Sequence, residues 1–404
     1  SGMMDVARHG ILQPSHYSFE EVMTIFLAVM VTDVVILDVF NTLGMPTSTT
    51  VSRVFELLGA TFVTACIKMA GTARLTLSML MNSDKALSVI IAIFVSVAIA
   101  FVAGVVVQWI LRLIFTFNYK RKLSATIGVF GGVAFTALAY FILIKGVGKS
   151  PFISDGARAY IDANTRIGAT ILSHLLHLLK VNVLRIIVLL GTFALAMAFA
   201  GNDLVNFIGV PLAALDSLKD FSANGNGDLG GFMMASLQES AKTPLLYLML
   251  AGVIMIVAMV TSKKAQNVVK TAVDLSRQAE GEEMFGSSRV ARSIVRASQN
   301  VGELVSQFMP KSVSRWVGGR FNKEEAILAD GAAFDEVRAA VNLVLSALLI
   351  IMGTTMKLPL STTYVTFMVA MGSSLADKAW GRESAVFRIT GVISVIGGWF
   401  LTAG

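Results

Sequence analysis

Long apolar runs separated by short polar connections dominate the chain. They cover residues 22–39, 87–110, 124–144, 186–200, 245–260, 341–352 and 385–401. Most approach or exceed the ~20 residues an α-helix needs to cross hydrocarbon. They are longer than strands and lack the strict alternation of a half-buried sheet. The pattern predicts an all-α, polytopic transmembrane fold. The parity of the crossings does not settle whether residues 41–71 re-enter or span.

Polar positions add orientation. Lys120, Arg121 and Lys122 fill one short connection, and Lys263 and Lys264 follow another apolar run. Basic residues flanking spans mark the cytoplasmic side, so residues 146–166 and 216–243 are expected to face outward. The one long polar stretch, 263–340, has nearly balanced charge and helical spacing such as Val290, Ile294 and Val295. It reads as a cytoplasmic helical insert with solvated faces rather than as a patch for anionic lipid.

Composition agrees with a membrane protein: 55% of the 404 residues are apolar, 15% are charged, and mean hydropathy is +0.72. Soluble domains do not have this balance. The net charge of +7 is the ordinary consequence of basic flanks and gives no reason to invoke nucleic acid. A single cysteine, Cys66, rules out a disulfide within the chain. Residues 1–20 do not read as a cleavable signal peptide.

Short internal matches suggest two related halves. Met3-Met4 recurs as Met233-Met234, and Met30-Val31-Thr32 as Met259-Val260-Thr261. Pro46-Thr47-Ser48-Thr49-Thr50 recurs as Pro359-Leu360-Ser361-Thr362-Thr363. The spacing widens between the second and third match by about the length of the polar stretch, so one insertion explains all three. The expected organisation is a first transmembrane repeat over 1–145, the start of a second over 146–262, the insert over 263–340 and the end of the second repeat over 341–404.

The repeated Ser-Thr-Thr carries a definite chemistry. Proline interrupts a preceding helix, and the next helix then starts with unpaired N–H groups that favour anions. Hydroxyls beside those amides both donate and accept, which suits an oxyanion whose protonation varies. Taken singly, each cluster reads first as a buried helix cap, and it is the duplication that favours a site. In both copies a glycine follows the serine by eleven residues, Gly59 after Ser48 and Gly372 after Ser361.

A second motif, Gly201-Asn202-Asp203-Leu204-Val205-Asn206-Phe207-Ile208-Gly209, follows the run that ends at Ala200. Asn202 and Asn206 share a helical face with Asp203 beside it, so their oxygens converge on a hard cation or their amides on an oxyanion. Asp203 is also readable as the mere end of a span. Asp38 and Asn41 lie shortly before the first Ser-Thr-Thr and are further candidates for the same pocket. Arg53 and Glu56, three apart, read as a structural ion pair. His174 and His177 have metal-like spacing but no nearby carboxylate or thiol partner, and read as interfacial residues.

These motifs resemble the inorganic phosphate transporter (PiT) family, whose halves each carry a Gly-Ala-Asn-Asp-X-X-Asn-type motif followed by a Pro-X-Ser-Thr-Thr-type motif. Asn202, Asp203, Asn206 and Gly209 look like the first motif of the second half, and residues 46–50 and 359–363 like the two later motifs. The polar insert is similar to that family's large central loop. The resemblance implies two inverted repeats with broken or re-entrant helices, in an integral protein of the bacterial inner membrane. It implies a secondary active transporter that carries inorganic phosphate by symport with a cation, sodium first, and needs no cofactor.

Substrate contacts are then expected from Ser48, Thr49, Thr50, Asn202, Asn206, Ser361, Thr362 and Thr363. Coupling-cation contacts are expected from Asp203, Asn202, Asp38 and Asn41. The partners implied are phosphate and the lipid bilayer, and a homo-oligomer is compatible with the family.

Three departures stand out. The pair before Asn-Asp is Ala200-Gly201, the residue after Ser-Thr-Thr is Val51 or Tyr364 where the family often has His, and no first Asn-Asp motif is found. The repeat offset puts that motif upstream of Ser1, so the sequence is expected to be trimmed at its N-terminus and not to transport as it stands. In that case Asp33 and Asp38 would be left facing lipid.

Two other readings compete: a carrier of another tetrahedral oxyanion such as sulfate, and a non-transporting receptor or scaffold built around the insert. No metalloprotease or nucleophile-elbow motif occurs, so an enzyme is not expected.

Overall fold

The computed structural model describes residues 2–72, 74–121, 123–139, 142, 154–239, 244–278, 286–297, 310–322, 326, 328, 332–356, 360–378 and 384–402. Among these residues the chain is helical, and pairing between extended segments is limited to two isolated bridges, Leu12 with Met81 and Ser18 with Met233. The main helices are α1 (Phe19–Thr42), α2 (Thr49–Gly71), α3 (Ser83–Phe115), α4 (Leu123–Ala139), α5 (Asp155–Leu178) and α6 (Val183–Asn224). They continue with α7 (Leu245–Thr261), α8 (Lys263–Ser276), α9 (Lys311–Arg320), α10 (Glu336–Thr355), α11 (Thr362–Ala376) and α12 (Ser384–Leu401).

Five of them, α1, α2, α3, α6 and α10, are long and apolar enough to cross a membrane. The pair α7 and α8, bent by 70°, makes a sixth if taken as one span. Large apolar side chains such as Val34, Ile67, Ile99 and Leu189 point outward, and α7 buries none of its residues. In water such surfaces would associate; in lipid they are solvated. The chain is an integral membrane protein.

Polar residues at the ends of the apolar runs start the helices. Ser18 Oγ accepts from the Glu21 amide at 3.3 Å while Glu21 Oε2 accepts from the Ser18 amide at 2.8 Å, a reciprocal cap for α1. Asn82, Asn182 and Asp335 cap α3, α6 and α10 by accepting from the amide three residues on. These caps lengthen the helices beyond the apolar runs. The helix α10 begins at Glu336, so residues 336–340, assigned from sequence to the insert, form its first turn.

Two segments continue as helix through stretches that hydropathy alone does not assign. The uncertain stretch 41–71 ends α1 at Thr42, passes through an extended linker and becomes one unbroken 23-residue helix, α2. The run ending at Ala200 continues without interruption through the Asn-Asp motif, giving a 42-residue helix with Pro211 inside it. At 1.5 Å per residue α6 is about 60 Å long, twice the ~30 Å of a hydrocarbon core. Asp203 is near the midpoint of this helix. Between the spans, α5 makes residues 155–178 helical, including the end of a connection expected to face outward.

Glycines set the closest crossings. Along α4, Gly131 and Gly132 admit Ser173 and Thr170 of α5, and His174 packs over Gly128. At the α3–α11 crossing, a Cβ on Gly104 would lie 2.6 Å from the Val369 carbonyl oxygen. A Cβ on Gly372 would meet the Phe101 carbonyl oxygen and lie 2.9 Å from the Val105 amide nitrogen. Because both obstacles are backbone, Gly372→Ala must move a helix, at about 1–3 kcal/mol. Its counterpart Gly59 meets nothing within 4 Å. Thermal unfolding in detergent is expected to fall for Gly372→Ala and to hold or rise for Gly59→Ala, because alanine is the better helix former. Equal melting of the two variants would show that the α3–α11 contact does not limit stability.

Candidate functional site

Helices α2 and α11 begin in the same way. Ser48 Oγ accepts from the Val51 amide at 3.2 Å, and Ser361 Oγ accepts from the Tyr364 amide at 3.1 Å. The amides of Ser52 and Val365 bond back to the carbonyls of Ser48 and Ser361. The first two amides of each helix, those of Thr49 and Thr50 and of Thr362 and Thr363, therefore have no intrahelical acceptor. Each follows a helix of similar length, α1 or α10, which makes the local organisation of the two motifs alike. Pro359, the first residue of the second motif, lies outside the described residues.

These two helix starts, 313 positions apart in the chain, converge on one side chain of α6. Thr362 Oγ1 donates to both carboxylate oxygens of Asp203, at 2.9 and 2.8 Å. Thr49 Oγ1 donates to Asp203 Oδ1 at 3.3 Å. From the same face of α6, Asn202 Nδ2 donates to Asp203 Oδ1 at 3.1 Å, and Asn206 Nδ2 reaches Thr50 Oγ1 at 2.8 Å and Thr49 Oγ1 at 3.1 Å. Asn206 Oδ1 is buried with no partner. Ser48, Thr50, Asn202, Asn206, Ser361 and Thr362 are buried, while Asp203 and Thr49 are half-buried.

This donor set brings a carboxylate, two hydroxyl oxygens and a free amide oxygen together, which are hard ligands suited to a small cation. Beside them stand four helix-terminal amides, the arrangement that binds an anion. No lysine or arginine contacts Asp203 among the described residues.

Not every residue named from sequence takes part. Ser48 and Ser361 act as caps, so their hydroxyls are committed to backbone amides. Thr363 belongs to the same first turn and is half-buried. Asp38 points away, exposed, and pairs with Lys264 Nζ at 2.6 Å. Asn41 makes no bond to the cluster. Asp33, expected to face lipid, is buried and bonded to Arg53 at 2.8 Å. His174 and His177 join no metal-type cluster among the described residues.

Trp399, which sequence reasoning passed over, packs with Tyr364 against the two helix starts. Trp399 of α12 donates from Nε1 to the Pro46 carbonyl at 3.0 Å and stacks on Tyr364 with centroids 3.7 Å apart. With Val51 and Phe55 they line an apolar cleft behind the two helix starts. Tyr364 and Val51 are the positions where the related family often has His. The signal was present in that departure, but the partner Trp399 lies far away in the chain.

Comparison with protein families matches residues 1–272 to the phosphate transporter family. That span holds the first Ser-Thr-Thr and the Asn-Asp motif; the second Ser-Thr-Thr lies beyond it. No curated protein matches. Among solved structures, one described as "The sodium-dependent phosphate transporter" is similar, with a TM-score of 0.59, 16% identity, and 100% of this chain and 83% of that chain covered. At that identity the likeness concerns the fold.

Proposed function

The chain belongs to the phosphate transporter family, and from that premise we propose that it is a secondary active carrier moving inorganic phosphate by symport with sodium. One observation supports this most directly: hydroxyls from two distant helix starts, Thr49 and Thr362, donate to the same carboxylate, Asp203. In a carrier with two related halves, each half supplies one broken-helix end to a shared central site. The halves are read as inverted repeats, the insert as cytoplasmic, and the membrane as the bacterial inner membrane.

The electrostatics supply the reason for coupling. An anion approaching the four amides meets the negative charge of Asp203, which opposes it. A sodium ion held by Asp203, Thr49 Oγ1, Thr362 Oγ1 and Asn206 Oδ1 removes that repulsion and adds attraction. Cation and phosphate then each raise the other's affinity. Without a fixed arginine, phosphate is not trapped by a permanent charge and can leave.

The test is uptake of radiolabelled phosphate by proteoliposomes of the full-length protein under imposed sodium, potassium or proton gradients, with sulfate as competitor. Saturable, sodium-driven uptake is expected. No uptake under any gradient would leave the receptor or scaffold reading standing, and sulfate-selective uptake would reassign the substrate. Thr362→Val should lower sodium-driven uptake about 10–100-fold, since a hydrogen bond to a charged group contributes ~1.5–3 kcal/mol. Unchanged sodium activation in that variant would remove Thr362 from the site.

A further inference from the structure

Where α1 and α2 pack together, a second group of charges is buried that the transport reading does not use. Arg53 Nη2 bonds Asp33 Oδ2 at 2.8 Å, and its Nη1 lies 3.7 Å from Glu56 Oε2. Asp33, Arg53 and Glu56 are 3%, 5% and 8% exposed. Two carboxylates against one guanidinium leave one negative charge in excess.

Hydrogen bonding is incomplete in the same place. Asp33 Oδ1 and both oxygens of Glu56 are enclosed and have no donor. Both carboxyls flank the same guanidinium, and two ionised carboxylates have no hydrogen to share. An uncompensated charge at membrane depth is expensive.

Arg53 is the charged group that faces this pair. Charges on the elements packed around α1 and α2 are engaged elsewhere or lie at helix ends. On α6, Asp203 and Asp216 accept from Thr362 and Arg8, and Lys219 and Asp220 meet Tyr247 and Ser236. On α8, Lys264 reaches Asp38 and Asp274 holds Arg277, while Lys263 and Lys270 are exposed. On α3, Arg112 binds Asp377, and Asp84 and Lys85 occupy the first turn. Within α1 and α2, Glu21 pairs with Lys68, and Glu20 is exposed. The short helix Val6–Gly10 brings Arg8, already paired, and His9, whose neighbours are Lys85 and Asp5.

A metal cation here would sit against the guanidinium. A proton meets the demands of the site without that repulsion, since it cancels the excess charge and turns one carboxyl into a donor for the other. We propose that Asp33 and Glu56 together bind one proton beside Arg53, and that this proton favours anion binding at the Asp203 cluster. The second half of the proposal rests on the phosphate reading; the first does not. Arg53 and Glu56 lie one and two turns beyond Thr49 on α2, so the pair is ~10 Å from the cluster along the helix axis. At that separation and an effective dielectric of ~20, one charge changes anion affinity on the order of ten-fold.

Two measurements on the purified full-length protein in lipid test this. The infrared carboxyl stretch under H2O–D2O exchange should show a buried protonated carboxyl that both Glu56→Gln and Asp33→Asn lose. Each variant leaves Arg53 one carboxylate partner, so either one alone can decide the point. The proton site is wrong if the native protein lacks the signal or if the signal survives in either variant.

Phosphate affinity is then compared between Glu56→Gln and the native protein at each pH, a ratio in which phosphate's own ionisation cancels. It should rise from one at low pH to on the order of ten when the native pair loses its proton. A flat ratio overturns the linkage. No phosphate binding by either protein overturns the phosphate reading and the linkage with it, while the infrared result still decides the proton site.

Discussion

Asp203→Asn is expected to abolish sodium-dependent phosphate uptake by the full-length protein while weakening phosphate contact less. The carboxylate accepts from Thr49, from Thr362 at both oxygens, and from Asn202 and Asn206. An asparagine keeps the shape but offers one acceptor oxygen, and its NH2 faces the remaining donors. Losing two hydrogen bonds to a charged group removes ~3–6 kcal/mol, or about 10²–10⁴-fold. Sodium also loses the only anionic ligand in its donor set, whereas the amides of Thr49, Thr50, Thr362 and Thr363 remain for phosphate. The sodium activation curve is therefore the decisive readout, with phosphate binding at saturating sodium as its companion. A curve that matches the native protein would return Asp203 to a purely structural role.

Much of this site was legible because its chemistry is local. Ser-Thr-Thr after a proline specifies a helix start, and Asn202, Asp203 and Asn206 share a face by helical spacing alone. What sequence did not show was the meeting of α2, α6 and α11, since Thr362 and Asp203 touch across 159 positions. Hydropathy ended a span at Ala200 because Gly201, Asn202 and Asp203 are polar. Their partners on α2 and α11 satisfy those polar groups, so α6 continues through them.

The same blindness to partners hid the first turn of α10, where Arg338 is wholly buried and its Nη2 bonds the Ser276 carbonyl at 2.8 Å. Asp38 shows the opposite failure. Being near Ser48 in the chain suggested a shared pocket, but five residues turn a helix by ~140°. With Asp33 facing inward on Arg53, Asp38 faces outward.

Asp377→Asn is expected to be the most damaging substitution to stability outside the site. Asp377, just past the end of α11, accepts from Gln108 Nε2 at 2.9 Å and from Arg112 Nε at 2.8 Å, and is bridged to Arg112 Nη2 at 2.5 Å. Arg112 also bridges Asp335 at 2.7 Å, and Arg338 Nε lies 3.9 Å from Asp377. Neither arginine side chain is exposed. The network joins the end of α3 to the start of α10 and the end of α11, and Arg338 extends it to the last carbonyl of α8.

Among the described residues, neutralising Asp377 leaves Asp335 as the only carboxylate bridged to Arg112 and removes the carboxylate charge 3.9 Å from Arg338 Nε. Removing one partner of a buried pair costs about 3–5 kcal/mol, a large share of a typical folding free energy. Asp38→Asn is the control, because its pair with Lys264 is exposed and such pairs contribute ~0–1 kcal/mol. Thermal unfolding in detergent should fall sharply for Asp377→Asn and barely move for Asp38→Asn. If both variants melt with the native protein, water or another side chain compensates Arg112 and Arg338, and the network is not what holds α3, α10 and α11 together.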